Sequence, residues 1–181
     1  MSVHRQIENL ALIGFMGTGK TTVGRIVAGQ LHYDFVDTDD LIEKQAGKSV
    51  SRIFAEEGEP AFRERERQVV TELAQCQRTI IATGGGLGAN PANIAALKQH
   101  ALVVCLWSTV DGIYSRVRSQ GHRPLLQGPN PLERMRELLL AREPFYKLAD
   151  VLIGTEFRSI REVAEHVIHQ FHHARKRPGC P

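Results

Sequence analysis

The residues Gly14-Phe15-Met16-Gly17-Thr18-Gly19-Lys20-Thr21-Thr22 carry the clearest chemistry in this chain. They match the phosphate-cradling pattern G-x-x-x-x-G-K-[ST] and stand directly behind an apolar run, Leu10 to Ile13. Glycines let such a backbone curl until successive N–H groups converge on a β-phosphate. Lys20 then reaches the β/γ oxygens, and the Thr21 hydroxyl is placed to ligate Mg²⁺. The helix that follows aims its positive end at the same phosphates. The expected ligand is a nucleoside triphosphate, in contact with Gly17, Thr18, Gly19, Lys20, Thr21 and Thr22. A glycine-rich turn with no ligand is the plain alternative, and the strand-before, helix-after context argues against it.

Four further groups of residues could act beside that loop. Asp37-Thr38-Asp39-Asp40 ends a second apolar run, and in extended backbone Asp37 and Asp39 point the same way. One carboxylate could hold Mg²⁺ through water while the other accepts a proton from a substrate hydroxyl. Alternatively, Asp39 or Asp40 caps a helix beginning at Leu41, and Asp40 is the expected cap. Thr83-Gly84-Gly85-Gly86 follows a third apolar run, leaving bare backbone that a substrate can approach closely. Arg63 and Glu66 share a helical face, so the carboxylate could fix the guanidinium to present paired donors to a substrate carboxylate. The alternating signs from Arg63 to Arg67 fit a solvated face equally well. Arg116, Arg123 and Arg142 precede, occupy and follow a Gly- and Pro-rich segment at 119–131. A lid arginine there could close over a γ-phosphate and exclude water, although each could also be an ordinary surface residue.

The elements that must position these groups can be read from periodicity. Strands are expected at Leu10 to Ile13, Asp34 to Val36, Thr79 to Ala82, Leu102 to Leu106 and Val151 to Ile153. Helices are expected over Thr21 to Leu31, Ser51 to Ala74, Pro91 to Lys98, Val110 to Val117, Pro131 to Leu148 and Ser159 to Phe171. Strands alternating with helices imply parallel pairing, with a ligand at the carboxyl ends of the strands. The expected fold is α/β, a three-layer sandwich. The 119–131 segment is too long for an ordinary connection and is read as a mobile loop over a site.

With 181 residues, 42% hydrophobic and 24% charged, the chain suits one buried core and one domain, taken as 1–170. The basic, His-rich tail from about 171 to 181 is expected to be disordered. The formal charge of +3 is modest and its arginines are dispersed, which fits a small anionic substrate better than nucleic acid. No apolar stretch approaches the roughly 20 residues that span a bilayer, and a polar N-terminus lacks a signal-peptide core, so no membrane is expected and the compartment is cytoplasmic. Cys76, Cys105 and Cys180 have no metal-ligand spacing. The first two are read as core or near-core thiols.

Together the motifs resemble the shikimate kinase family. Gly-x-x-Gly-x-Gly-Lys-Thr at Gly14 to Thr21, Asp-x-Asp at Asp37 to Asp39 and Phe-Arg-x-x-Glu at Phe62 to Glu66 occur in its order and spacing. So do Gly-Gly-Gly at 84–86, Arg-Pro-Leu-Leu at Arg123 to Leu126 and Arg-x-x-x-Tyr at Arg142 to Tyr146. The resemblance covers about residues 8–170, without departure at these positions. It implies a P-loop NTPase fold of the nucleoside monophosphate kinase kind, with a five-stranded parallel sheet flanked by helices. It also implies transfer of the γ-phosphoryl of ATP to the 3-hydroxyl of shikimate, with Mg²⁺, in a monomer. Lys20, Asp39 and Arg123 would be catalytic, with Asp39 orienting or deprotonating the attacking hydroxyl. Arg63 and Arg142 would pair with the shikimate carboxylate, Gly84, Gly85 and Gly86 would complete that pocket, and a helical segment at about 38–75 would bind the substrate. Thr21 and Asp37 would serve the metal. Arg123 would reach ATP phosphates, Arg116 would flank the adenine, and Arg158 is the candidate second adenine contact.

Another small P-loop kinase, for gluconate or a nucleoside monophosphate, is the alternative among enzymes. Phe-Arg-x-x-Glu argues against gluconate. A GTPase-like switch is the alternative outside them, and the chain lacks the Asn-Lys-x-Asp motif that would read guanine.

Overall fold

In a computed structural model describing residues 5–118 and 130–176, the apolar runs pair into one parallel sheet. Its strands are β1 (Asn9–Ile13), β2 (Asp34–Asp37), β3 (Thr79–Ala82), β4 (Ala101–Trp107) and β5 (Val151–Gly154). Their spatial order is β2-β3-β1-β4-β5. Leu10 lies opposite Ile80 on one side and Leu102 on the other, so β1 is central. Its run is continuously apolar because both faces are covered. Ala11 and Ile13 enter one core, Leu10 and Leu12 the other.

The second of these cores is closed by α1 (Lys20–Leu31) and α8 (Ile160–Lys176), through Val23, Val27, Val163, Val167 and Phe171. Gly24 of α1 lies against the Phe35 ring so closely that a Cβ would collide with it. Opposite, the first core is closed by α2 (Thr38–Ala46), α3 (Val50–Glu56), α4 (Gly58–Leu73), α5 (Pro91–Lys98), α6 (Val110–Val117) and α7 (Pro131–Tyr146). The result is the expected three-layer arrangement. At the amino ends of the strands Asn9, fully buried, accepts from the Thr79 N–H (2.9 Å) and donates to the Cys76 carbonyl (2.7 Å). That pairing answers backbone groups that burial would otherwise leave unsatisfied. Cys105 is buried and Cys76 half-buried, as expected of core thiols.

Three expectations need correction. The single helix expected over Ser51 to Ala74 is two helices: Glu57 interrupts it, and Gly58 takes a left-handed φ of +80° that a residue with a Cβ rarely adopts. The helix expected from Leu41 begins at Thr38, and its cap is Asp37, whose side chain accepts from the Asp39 N–H, so Asp40 is not the cap. The tail expected to be disordered from 171 is helical as far as Lys176, because Phe171 is fully buried and packs edge-on against Tyr33. Residues 119–129, most of the expected lid, lie outside the described residues, as do 177–181.

Candidate active site

The loops leaving β1, β2 and β3 open onto a cavity of about 1020 Å³ at the carboxyl ends of the strands. On one side stands the glycine loop. Gly14, Gly17 and Gly19 all have positive φ, and a Cβ on Gly17 would strike Val117 of α6. The curl therefore depends on glycine for both dihedral and space. Lys20, nearly buried, donates from Nζ to the carbonyls of Gly14 (2.9 Å) and Phe15 (2.8 Å), which holds its ammonium at the centre of the loop. Thr18 is tied down by donation to the Phe15 carbonyl (2.8 Å). Thr21 and Thr22 line the cavity from the first turn of α1.

Asp37 joins the two sides. It accepts from the Thr21 hydroxyl (2.8 Å) through one oxygen and from the Asp39 N–H (3.1 Å) through the other. Asp39 thus stands on the first turn of α2, not in extended backbone, yet both carboxylates still line the cavity. Burial, then the charge of Asp37, pushes the Asp39 carboxyl up to about 6, against the pull of Lys20. A carboxylate titrating there can accept a proton near neutral pH. Among the described residues no group of three or more His, Cys, Asp or Glu side chains could hold a metal ion. Thr21 and Asp37 nevertheless offer adjacent hard oxygen donors at the phosphate loop, which fits Mg²⁺ provided phosphate oxygens and water complete its shell.

The other side is built from side chains. Arg63 of α4 donates to Glu66 (2.8 Å) and to Glu59 (2.7 Å). Desolvation opposes its charge, and these two carboxylates more than offset that, holding the guanidinium above its ordinary range. Glu66 is 1% exposed, and burial raises its carboxyl despite the bond to Arg63. The pairing expected from the i, i+3 spacing is therefore present, and the bland reading of a solvated face does not hold for Arg63. Arg142 of α7 donates to the Gly85 carbonyl (3.2 Å), with its guanidinium over the Phe15 ring.

Gly84, Gly85 and Gly86 line the cavity as expected, but their bareness serves the protein's own side chains first. A Cβ on Gly84 would overlap the Asp39 carboxylate, and one on Gly86 would overlap the Arg63 guanidinium. No positive φ is involved. The glycines are needed for close approach, and what approaches them in this fold is Asp39 and Arg63.

From α6, Arg116 lines the cavity and donates to the Thr155 hydroxyl (3.0 Å) and carbonyl (2.8 Å). Arg158 does not join it. Its guanidinium turns back to the Gly154 carbonyl (2.7 Å), it is exposed, and the residue that lines the cavity nearby is Ile160. Arg123 lies outside the described residues.

Sequence reasoning gave no role to four side chains that fix this geometry. Thr38, fully buried, accepts from the Gly84 N–H (2.9 Å). Tyr146, also buried, donates to the same Gly85 carbonyl that Arg142 uses (2.8 Å), and burial pushes its hydroxyl up to about 12. Its i, i+4 spacing from Arg142 was the available signal. Thr155 holds Arg116, and the Phe54 ring packs at a tilt against Phe62, 4.7 Å between centroids, along the cavity wall. Neither carries a local motif.

The strand order, the lysine-bearing phosphate loop and an acceptor pocket opening from the same cavity define a P-loop kinase. A family model described as shikimate kinase matches residues 16–172. A shikimate kinase of Caldanaerobacter subterraneus subsp. tengcongensis is 45% identical over 165 residues, covering 91% of this chain and 96% of that protein. Among solved structures, the shikimate kinase of Acinetobacter baumannii in complex with shikimate superposes with a TM-score of 0.87 at 37% identity, over 95% of this chain and 97% of the other. A gluconokinase from Sinorhizobium meliloti 1021 superposes at a TM-score of 0.61 over 93% of this chain and 94% of the other, with 14% identity, and shares the fold alone. The chain belongs to the shikimate kinase family.

Proposed function

We propose that this protein is an ATP-dependent shikimate kinase that transfers the γ-phosphoryl of ATP to the 3-hydroxyl of shikimate, giving shikimate 3-phosphate and ADP in the route to chorismate and the aromatic amino acids. The observation that carries the reading is one cavity lined by both halves: the phosphate loop with Lys20 on one side, and Asp39, Arg63 and Arg142 on the other.

In this reading the loop N–H groups and Lys20 bind the β- and γ-phosphates and stabilise the charge that spreads over the transferring group. Gly17, Thr18, Gly19, Thr21 and Thr22 frame that donor site. Arg63 and Arg142 hold the shikimate carboxylate, which fixes the ring and turns one hydroxyl toward the γ-phosphoryl. The backbone of Gly84 to Gly86 closes the pocket behind it. Asp39 accepts a hydrogen bond from the attacking hydroxyl and takes its proton as the phosphorus–oxygen bond forms. The free carboxyl, titrating at about 6, is largely ionised at neutral pH and so ready for that step. Thr21 and Asp37 would hold Mg²⁺, which supplies charge neutralisation for the phosphates when bound. Arg116 flanks the adenine, and Ile160 is better placed than Arg158 to face the base; the family resemblance, not the described structure, gives Arg123 its phosphate contact.

No described helix is long and apolar enough to cross a membrane. The dependence on ATP supports a cytoplasmic enzyme, and the modest, dispersed charge supports small-molecule partners over nucleic acid.

A coupled ADP-release assay with shikimate, gluconate and a panel of nucleoside monophosphates tests the reading. Turnover with shikimate alone is expected. Turnover with gluconate or a nucleotide and none with shikimate would overturn it.

A further inference from the structure

The wall that α3 gives the acceptor pocket has little to stand on by itself. It is seven residues long, far below the roughly 12–15 at which isolated helices become even marginal in water. Ile53 is its one fully buried side chain, while Val50, Ser51 and Phe54 face the cavity. What fixes it otherwise is polar. Ser49 caps its first turn, and Glu43 of α2 accepts from the Val50 N–H (2.7 Å). Lys48, just ahead of that cap, reaches past the whole helix to Glu56 (3.0 Å) and Glu57 (2.6 Å) at its far end. Glu57 is shared with Arg65 of α4 (2.9 Å). Lys48 is bonded to both ends of α3 at once, by chain connection to one and by charge to the other.

None of Lys48, Glu57 and Arg65 lines the cavity. Single exposed ion pairs contribute little, but a linked set on one short helix restricts it more than its members would separately. The bonds of Lys48 to Glu57 and Glu56 hold its ammonium above the ordinary range, and Lys48 and Arg65 hold Glu57 below its own. Lys48 and Glu57 therefore keep their charges around neutral pH.

We infer that Lys48, Glu57 and Arg65 form a positioning cluster that sets affinity for the phosphoryl acceptor by clasping α3 against α4, so that Val50, Ser51 and Phe54 stand as a preformed wall of the acceptor pocket. This rests on the reading of the cavity as a shikimate kinase site. The clasp acts on the acceptor side, because Phe54 of α3 packs against Phe62 beside Arg63, and the cluster joins Lys48 and α3 to α4.

The test is steady-state kinetics of the full chain carrying Lys48→Met, Glu57→Gln or both, with wild-type turnover on shikimate measured first. Each single variant is expected to raise the KM for shikimate roughly threefold to tenfold, the double variant no more than the worse single. The KM for ATP and kcat should stay within about twofold of wild type. Lys48→Arg, which keeps the charge, should restore the wild-type KM. Raising salt from about 0.05 to about 0.5 M should shrink the advantage of wild type over Lys48→Met. An unchanged shikimate KM in Lys48→Met, multiplicative effects in the double variant, or equal losses for both substrates would overturn the clasp. A wild-type enzyme inactive on shikimate would instead refute the underlying reading.

Discussion

The two sides of the cavity are built in different ways. The donor side is one uninterrupted segment, Gly14 to Thr22, whose shape comes from backbone: three glycines at positive φ and a lysine folded onto its own loop carbonyls. The acceptor side is assembled from several separate elements, and its shape comes from hydrogen bonds and ion pairs between residues distant along the chain or a helical turn apart. Asp39 is set by Asp37, Arg63 by Glu66 and Glu59, and Arg142 shares the Gly85 carbonyl with Tyr146. A site that must hold the same triphosphate in many enzymes can be fixed by a loop. A site that selects one acceptor needs groups that can be exchanged one at a time, and P-loop kinases differ mainly there.

The contrast can be broken by substitutions on either side. Asp39→Asn keeps the shape and removes the proton acceptor, so kcat should fall by ~10²–10⁴-fold. A loss of tenfold or less in stopped-assay turnover would assign Asp39 an orienting role only. Lys20→Ala removes charge stabilisation of the transferring group and is expected to lower kcat by about 10²–10³-fold. Near-normal turnover would remove the loop from the account.

Smaller effects separate the two substrates. Arg142→Lys exchanges a planar fork for a single point donor, and losing one charged hydrogen bond of about 1.5–3 kcal/mol should raise the shikimate KM by roughly 10–100-fold. The KM for ATP should hardly move, and equal changes in both would sink the carboxylate assignment. Tyr146→Phe leaves the Gly85 carbonyl to Arg142 alone. Unfolding in urea should show a loss of about 1 kcal/mol, accompanied by a rise in the shikimate KM and an unchanged ATP KM.

Asp39 also ties the site to stability. Its carboxyl titrates at about 6 when folded against 3.8 ordinarily, so the folded chain binds more protons between those values. This group's contribution therefore falls as pH rises from about 4 to 6 and stays lost above that. Asp39→Asn should accordingly stabilise the ligand-free protein at pH 7, by an amount on the order of 1–3 kcal/mol, while abolishing most turnover. In the wild type, kcat/KM should fall as pH drops below about 6. Calorimetry showing no gain in Tm for the variant would contradict the burial of this charge.

The same contrast explains what was legible in the sequence. The donor loop could be read directly, because its function depends on residue types in consecutive order. The strands could be read because β1, β3 and β4 are buried on both faces and so continuously apolar. The acceptor side was legible only in part. The Arg63–Glu66 pair follows from helical spacing, but local spacing cannot show that Gly84 makes room for Asp39 or Gly86 for Arg63, since those partners are distant along the chain. Boundaries failed where competing local signals were close in strength. Three carboxylates near the start of α2 could each cap it, and Asp37 does so because it also meets Thr21. The break at Glu57 and Gly58 was hidden because apolar residues recur at helical spacing on either side of it, Val50 and Ile53 before and Phe62, Val69 and Leu73 after. The helical tail was masked by its histidines, although Val163, Val167 and Phe171 already mark one apolar face of α8.

The central claim is that the donor loop delivers a phosphoryl group to an acceptor held by its carboxylate. Phosphorus NMR of the enzyme with ATP, Mg²⁺ and shikimate reads that transfer atom by atom. The account predicts one new phosphomonoester resonance, coupled to the proton on carbon 3 of the ring and growing in step with ADP. Inorganic phosphate growing with ADP, and no ester, would contradict it.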